Sequence, residues 1–143
     1  AVMCCVHADW AIGNEAEFVR VLGRAADLAA ARQALVTVGI VPTRPDPGFG
    51  YIQPGAPLDG EREPAYQVAR FVEKPSRERA AEMLRDGYLW NSGIFVWRVG
   101  DFLDEIRAHT PEVAPSLAAA TDIAGFFGSV KSISVDVGVM ERS

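Results

Sequence analysis

Cysteine and histidine are scarce in this 143-residue chain, two of each. The cysteines, Cys4 and Cys5, are adjacent. Neighbouring side chains in a strand point to opposite faces, which argues against a disulfide between them or a shared metal. Buried thiols in a reducing cytoplasm are the expectation. His7 has no second histidine at ligand spacing and reads as structural. Positive charge is also short: 14 Lys and Arg against 19 Asp and Glu leave a formal net charge of −5, the opposite of a nucleic-acid-binding surface. No apolar run reaches the roughly 18 residues of a membrane span. The N-terminus lacks the charged-then-apolar pattern of a signal peptide. Neither nucleic acid nor a membrane is therefore an expected partner. There is no internal repeat and no low-complexity tract.

What is present is ordinary for a soluble globular protein: 49% hydrophobic and 23% charged residues, in a length that suits one domain or part of one. The chain opens on an apolar run, Ala1 to Val6, and closes on Met140-Glu141-Arg142-Ser143 without a stop signal. Both ends look cut, so a fragment of a longer protein is expected.

The stretch from Phe71 to Trp97 organises the rest and reads as strand, helix, strand. Phe71-Val72 ends an apolar strand, Glu73-Lys74 stand where it runs out, and Pro75 cannot donate to a ladder. Ser76 suits an N-cap, while Ala80, Met83 and Leu84 fall on one helical face. Gly87 suits a C-terminal position with positive φ. Ile94 to Trp97 forms the next strand, with Asn91 just before it. Ligands of open α/β sheets bind beyond the carboxyl ends of strands. A lysine there can take a phosphate, while a carboxylate and an amide can bond to sugar hydroxyls. On spacing alone, surface charges and a turn asparagine are the favoured reading of Glu73, Lys74 and Asn91.

Upstream, Ala1 to Val6 reads as a buried strand. Asp9 follows it, as a turn residue or helix cap, or as an oxygen ligand for Mg²⁺ in the ligand crevice. Asn14 and Glu17 start a helix that runs to about Ala31, and Ala34 to Ile40 is the next strand. Strand, helix and strand together predict a parallel right-handed unit. Val41 to Pro64 is dense in proline and glycine and reads as loop. Within it Phe49-Gly50-Tyr51-Ile52 is either a short strand, whose glycine lets a ligand approach, or a hairpin turn. Tyr66 to Val72 returns as a strand. Helices are expected from Asp101 to about Thr110-Pro111 and from there to Ala120. Gly125 to Gly128 breaks the second, with Phe126 and Phe127 in the core. Lys131 to Val135 alternates like a strand, with Asp136 at its end.

Phe-Val-Glu-Lys-Pro followed by Trp-Asn-Ser-Gly-Ile-Phe-Val-Trp resembles the sugar-1-phosphate nucleotidyltransferases, most closely the mannose-1-phosphate guanylyltransferases. Four further segments match that family in order: Val6 to Asp9, Leu35 to Ile40 with Pro42-Thr43, Phe49 to Ile52, and Ser134 to Glu141. The resemblance implies a Rossmann-like α/β fold, a mostly parallel mixed sheet flanked by helices. Residues 1–143 would be the central and C-terminal part of one catalytic domain. It implies transfer of a nucleotidyl group from GTP to mannose 1-phosphate, giving GDP-mannose and pyrophosphate. Asp9 and Asp136 would hold Mg²⁺, Lys74 would grip the sugar phosphate, and Glu73 and Asn91 would bind sugar hydroxyls with the Gly50 backbone against the sugar. A uridylyl- or thymidylyltransferase and a non-catalytic regulatory homologue are the alternatives. The implied partners are GTP and mannose 1-phosphate, with room for a homo-oligomer and a cytoplasmic location. Two features depart from the pattern. His7 and Trp10 replace the usual proline and histidine around the first aspartate. The glycine-rich loop that cradles the triphosphate is missing, so this chain alone is expected not to catalyse transfer.

Overall fold

The computed structural model describes every residue except Asp9, Arg62 and Glu63. In chain order the elements are β1 (Val2–Cys5), α1 (Glu15–Arg32), β2 (Val36–Ile40), β3 (Tyr51–Pro57), β4 (Tyr66–Val72), α2 (Arg77–Arg85), β5 (Leu89–Arg98), α3 (Val99–His109), α4 (Ala114–Ala119), α5 (Ile123–Ser129) and a π-helical turn (Asp136–Met140).

The helix boundaries follow from local chemistry. Asn14 caps α1, its Oδ1 accepting from Glu17 N at 3.1 Å, a device worth about 1 kcal/mol. Ser76 caps α2 by accepting from Arg79 N at 3.2 Å. That helix ends in a Schellman motif: Tyr88 N donates to Met83 O at 3.0 Å and Gly87 N to Leu84 O at 3.4 Å. The motif needs a left-handed residue, and Gly87 supplies it with φ of +77°.

β5 is the strand on which the sheet is assembled. Its residue Phe95 pairs with Cys5 of β1 on one side and Thr37 of β2 on the other. Further back, Trp90 pairs with Tyr51 of β3 and with Ile40 of β2. β1 and β3 therefore share one edge of β5, at opposite ends, and β2 takes the other edge. β4 extends the sheet beyond β3. Residues 91–94 of β5 lie between the stretches paired to β3 and to β1, and here the two neighbours separate.

Every pairing among the described residues is antiparallel. The expected mostly parallel sheet is thereby corrected. β1 and β2 do run the same way, each antiparallel to β5, but β5 lies between them. A strand–helix–strand pattern shows direction; it does not show which later strand inserts between the two.

Three apolar clusters cover the sheet. Ala25 and Ala29 of α1 meet Ile94 and Val96, the small side chains letting helix and strand approach. Ala80 and Met83 of α2 pack with Tyr51, Tyr88 and Trp90. Phe95 and Trp97, of the other parity, join Ile52, Phe71 and Met140, with Phe102 of α3 against them. Trp97 is 2% exposed and stacks on Phe102 at 4.3 Å between ring centres. Each large apolar side chain buried this way contributes about 1.5–3 kcal/mol.

Other expectations are also corrected. β1 is not buried: Val2, Met3 and Cys4 are exposed, and among the described residues it is an edge strand paired to β5 alone. Cys4 is thus an exposed free thiol and Cys5 a half-buried one whose ionisation burial disfavours, with Cys4 adding to the effect. The proline-rich loop contains β3, which admits Pro54 where its register with β4 shifts. Residues 123–129 are helical, and Phe127 is 70% exposed rather than core. Residues 131–134 are irregular; the alternation that reads as a strand leads into the π turn. Among the described residues no helix is long and apolar enough to cross a membrane.

Candidate functional site

The site lies where β3 and β1 separate along β5. Its first part is the entry to β3, which is pinned from below. The Tyr51 hydroxyl accepts from Trp90 Nε1 at 3.1 Å and from Asp46 N at 3.0 Å, and donates to Asp46 O at 3.1 Å. Tyr51 is fully buried, its bond to Trp90 forms out of water, and the two to half-buried Asp46 are partly shielded. The Phe49 ring lies 4.8 Å from that of Trp90, and the Arg44 guanidinium 5.4 Å above the same indole. This scaffold delivers Gly50, whose carbonyl accepts from Asn91 N at 2.8 Å. A Cβ on Gly50 would stand 2.6 Å from Glu73 Oε2 and 3.3 Å from Asn91 Cβ. Any side chain here would have to displace the Glu73 carboxylate.

Glu73 and Lys74 follow β4. Their side chains form an ion pair, with Glu73 17% exposed and Lys74 66% exposed. The hydrogen bond and charge of Glu73 hold the lysine protonated above its ordinary range, and the charge of Asp136 adds to this. Lys74 has φ of +43°, a left-handed conformation that a non-glycine residue adopts at a cost and that recurs at functional sites. Glu73 N donates to Glu141 Oε1 at 2.8 Å.

Asn91 is fixed in one orientation. Its Oδ1 accepts from Gly93 N at 3.0 Å and from Thr37 Oγ1 at 3.2 Å, so Nδ2 faces Asp136 Oδ1 at 3.0 Å. A flipped amide would set donor against donor at Gly93 and acceptor against acceptor at Asp136. Gly93, with φ of +70°, leaves a notch that the His7 imidazole fills, and His7 lies nearly parallel to the Trp10 ring.

The structure therefore brings Gly50, Glu73, Lys74, Asn91 and Asp136 together. Two placements differ from expectation. Asn91 lies within β5 instead of before it, and Asp136 opens a π turn instead of ending a strand. Asp9 lies outside the described residues. Two participants carried no sequence expectation. Glu141 ends the last matched segment, and its charge five positions beyond Asp136 was the available signal. Thr37 sits in β2 among apolar residues, a polar side chain in a strand interior.

Mg²⁺ is the implied cofactor. Among the described residues no group of three His, Cys, Asp or Glu side chains converges to hold a metal. Asp136 nonetheless fits a hard cation by donor type, a half-buried carboxylate with one oxygen held by an amide. Mg²⁺ commonly takes only one or two carboxylates beside substrate phosphates.

Comparison with known proteins identifies the family. The profile of the Nucleotidyl transferase family matches residues 3–141. A mannose-1-phosphate guanylyltransferase of Klebsiella pneumoniae is 40% identical, covering 99% of this chain and 32% of its own length. One from Escherichia coli is 39% identical with the same coverage. The chain thus spans about a third of the length of the curated relatives it matches. A crystal structure described as a mannose-1-phosphate geranyltransferase from Thermus thermophilus superposes with a TM-score of 0.84 at 31% identity, over 98% of this chain and 41% of that one. Another, described as a mannose-6-phosphate isomerase from Helicobacter pylori, gives 0.82 at 28% identity, over 99% and 58%.

Proposed function

The chain belongs to the nucleotidyl transferase family, and on that premise we propose that it forms the sugar-phosphate and metal half of a mannose-1-phosphate guanylyltransferase site. The observation that carries the proposal is the meeting of Lys74, Glu73, Gly50 and Asn91 at the gap between β3 and β1. Residues 1–143 are then the central and C-terminal part of one catalytic domain.

In the proposed reaction a phosphate oxygen of mannose 1-phosphate attacks the α-phosphorus of GTP. A new P–O bond forms, the α–β bridging bond breaks, and pyrophosphate leaves with the electron pair. Such transfers need positioning and charge neutralisation more than covalent help from the protein. Lys74, exposed and protonated, takes the sugar phosphate, exchanging part of its pairing with Glu73 for the phosphate charge. Glu73 accepts from sugar hydroxyls at the niche left by Gly50. Asn91 has its Oδ1 committed to Thr37 and Gly93, so what it offers a hydroxyl is its second Nδ2 hydrogen. Asp136, together with Asp9, is the proposed ligand set for Mg²⁺. Bound there, the ion would neutralise charge on phosphate oxygens.

Pyrophosphate release by the full-length protein, with mannose 1-phosphate, Mg²⁺ and each nucleoside triphosphate in turn, tests this. Preference for GTP is expected. Preference for UTP or dTTP would keep the transfer and change the product. Silence with all four, and with other sugar phosphates, in a folded protein would contradict the proposal and favour a regulatory homologue.

A further inference from the structure

Asp136 and Glu141 enter the site from one short turn, and the type of turn decides whether both can do so. Residues five apart on an α-helix point roughly 140° away from one another. In the turn from Asp136 to Met140 the Glu141 N–H bonds instead to Asp136 O, at 2.9 Å. This i→i+5 bond is the π pattern, which brings residues five apart to the same side. Asp136 can then meet Asn91 while Glu141 meets the backbone of Glu73.

The wider turn leaves a carbonyl to be satisfied from outside. Both following N–H groups, of Arg142 and Ser143, turn to Val139 O, at 2.9 and 2.8 Å. Gly138 is buried, and the donor that reaches its carbonyl among the described residues is the Thr110 hydroxyl, at 2.7 Å. Thr110 is 2% exposed, and its backbone leaves the hydroxyl little freedom. Its N–H closes α3 on Ile106 O at 3.0 Å, its carbonyl accepts from Val113 and Ala114 at 3.0 and 2.9 Å, and Pro111 follows it. A residue before proline is kept out of the helical region, and Thr110, with φ of −118° and ψ of 76°, lies outside it. The Thr110 methyl also lies where a Gly138 Cβ would come within 3.3 Å.

We infer that Thr110 is a positioning residue: its hydroxyl holds the Asp136–Met140 turn in π register and so sets the reach of both Asp136 and Glu141 into the sugar-phosphate side of the site. The catalytic part of this inference rests on the proposed function; the positioning part does not. Without the hydroxyl, the buried Gly138 carbonyl has no donor, and relaxation to a tighter turn would swing one of the two carboxylates away.

The test compares Thr110→Val, which keeps the shape and removes the hydroxyl, with Thr110→Ser, which keeps the hydroxyl, in the full-length protein. Thr110→Val should lower kcat/KM for mannose 1-phosphate roughly five- to tenfold, the scale of one lost hydrogen bond. Thr110→Ser should restore the wild-type value. An unchanged kcat/KM in Thr110→Val, or a loss that Thr110→Ser shares in full, would overturn the inference. Should the wild type show no turnover, the proposed function fails. Positioning is then judged from crystal structures of wild type and Thr110→Val. Loss of the Asn91–Asp136 or Glu141–Glu73 bond supports it, and an unchanged turn refutes it. Should Thr110→Val not fold, Thr110→Ala and Thr110→Ser are compared in the same way.

Discussion

The site has two walls, and they are held in different ways. The strand wall, with Gly50, Glu73, Lys74 and Asn91, rests on the ladders of β3, β4 and β5 and on a tyrosine hydroxyl with three partners. The turn wall is anchored in the core through buried Val139 and Met140, but its two carboxylates, Asp136 and Glu141, are placed by single side-chain bonds: Thr110 to Gly138, Asn91 to Asp136, and Glu141 to Glu73 N. Ladders spread a disturbance over many bonds, whereas a wall held by single contacts moves when one is lost. The strand wall is thus suited to fixed recognition of a ligand, and the turn wall to adjustment.

The largest effect should come from the strand wall. Lys74→Ala should lower kcat/KM for the sugar phosphate about 10- to 100-fold, the scale of a charge-assisted hydrogen bond, with little change in Tm because the side chain is exposed. Tyr51→Phe attacks the same wall from beneath. It leaves Trp90 Nε1 and Asp46 N without their partner and should cost about 1–3 kcal/mol in denaturant unfolding. If it costs nothing, the strand wall is not held as described.

Amide exchange sharpens the contrast directly. N–H groups of residues 136–141 should exchange faster than those of residues 94–97, because opening a single turn breaks fewer hydrogen bonds than opening the central strand of a sheet. Equal protection would remove the distinction between the walls.

A pH effect belongs to the turn wall. Arg142 bonds to Glu112 through both guanidinium nitrogens, at 2.9 and 3.1 Å, and this holds the Glu112 carboxyl below its ordinary range. A depressed folded value means the pair stabilises above the pH where a free glutamate titrates, and the contribution is lost as pH falls through the depressed value. Glu112→Gln should therefore lower Tm slightly at neutral pH and match the wild type in strong acid. The smallest effect is expected far from both walls. Phe127→Ser, at an exposed position, should change stability by less than about 0.5 kcal/mol.

What could be read from the sequence follows the same division. Asn14, Ser76 and Gly87 act within a few residues of themselves, so their caps were legible. Glu73 and Lys74 stand at the end of a strand whose apolar run and following proline mark its limit, so their position was legible, while a role for them came only with the family resemblance. The order of the sheet was not: nothing in Leu89 to Arg98 states that it separates β1 from β2. The π turn was hidden by Lys131 to Val135, whose alternation suits a strand with Asp136 at its end, and the donor to its Gly138 carbonyl is Thr110, 28 positions away. Phe127 was misjudged because a phenylalanine in a short helix shows no sign of which side meets the core.

The most direct measurement is calorimetric titration of mannose 1-phosphate, and of mannose as control, into the full-length protein and its Lys74→Ala variant. The account predicts that the wild type binds the phosphorylated sugar far more tightly than mannose, and that the variant loses this preference while remaining folded. A folded Lys74→Ala protein that keeps the preference unchanged would contradict the assignment of the strand wall.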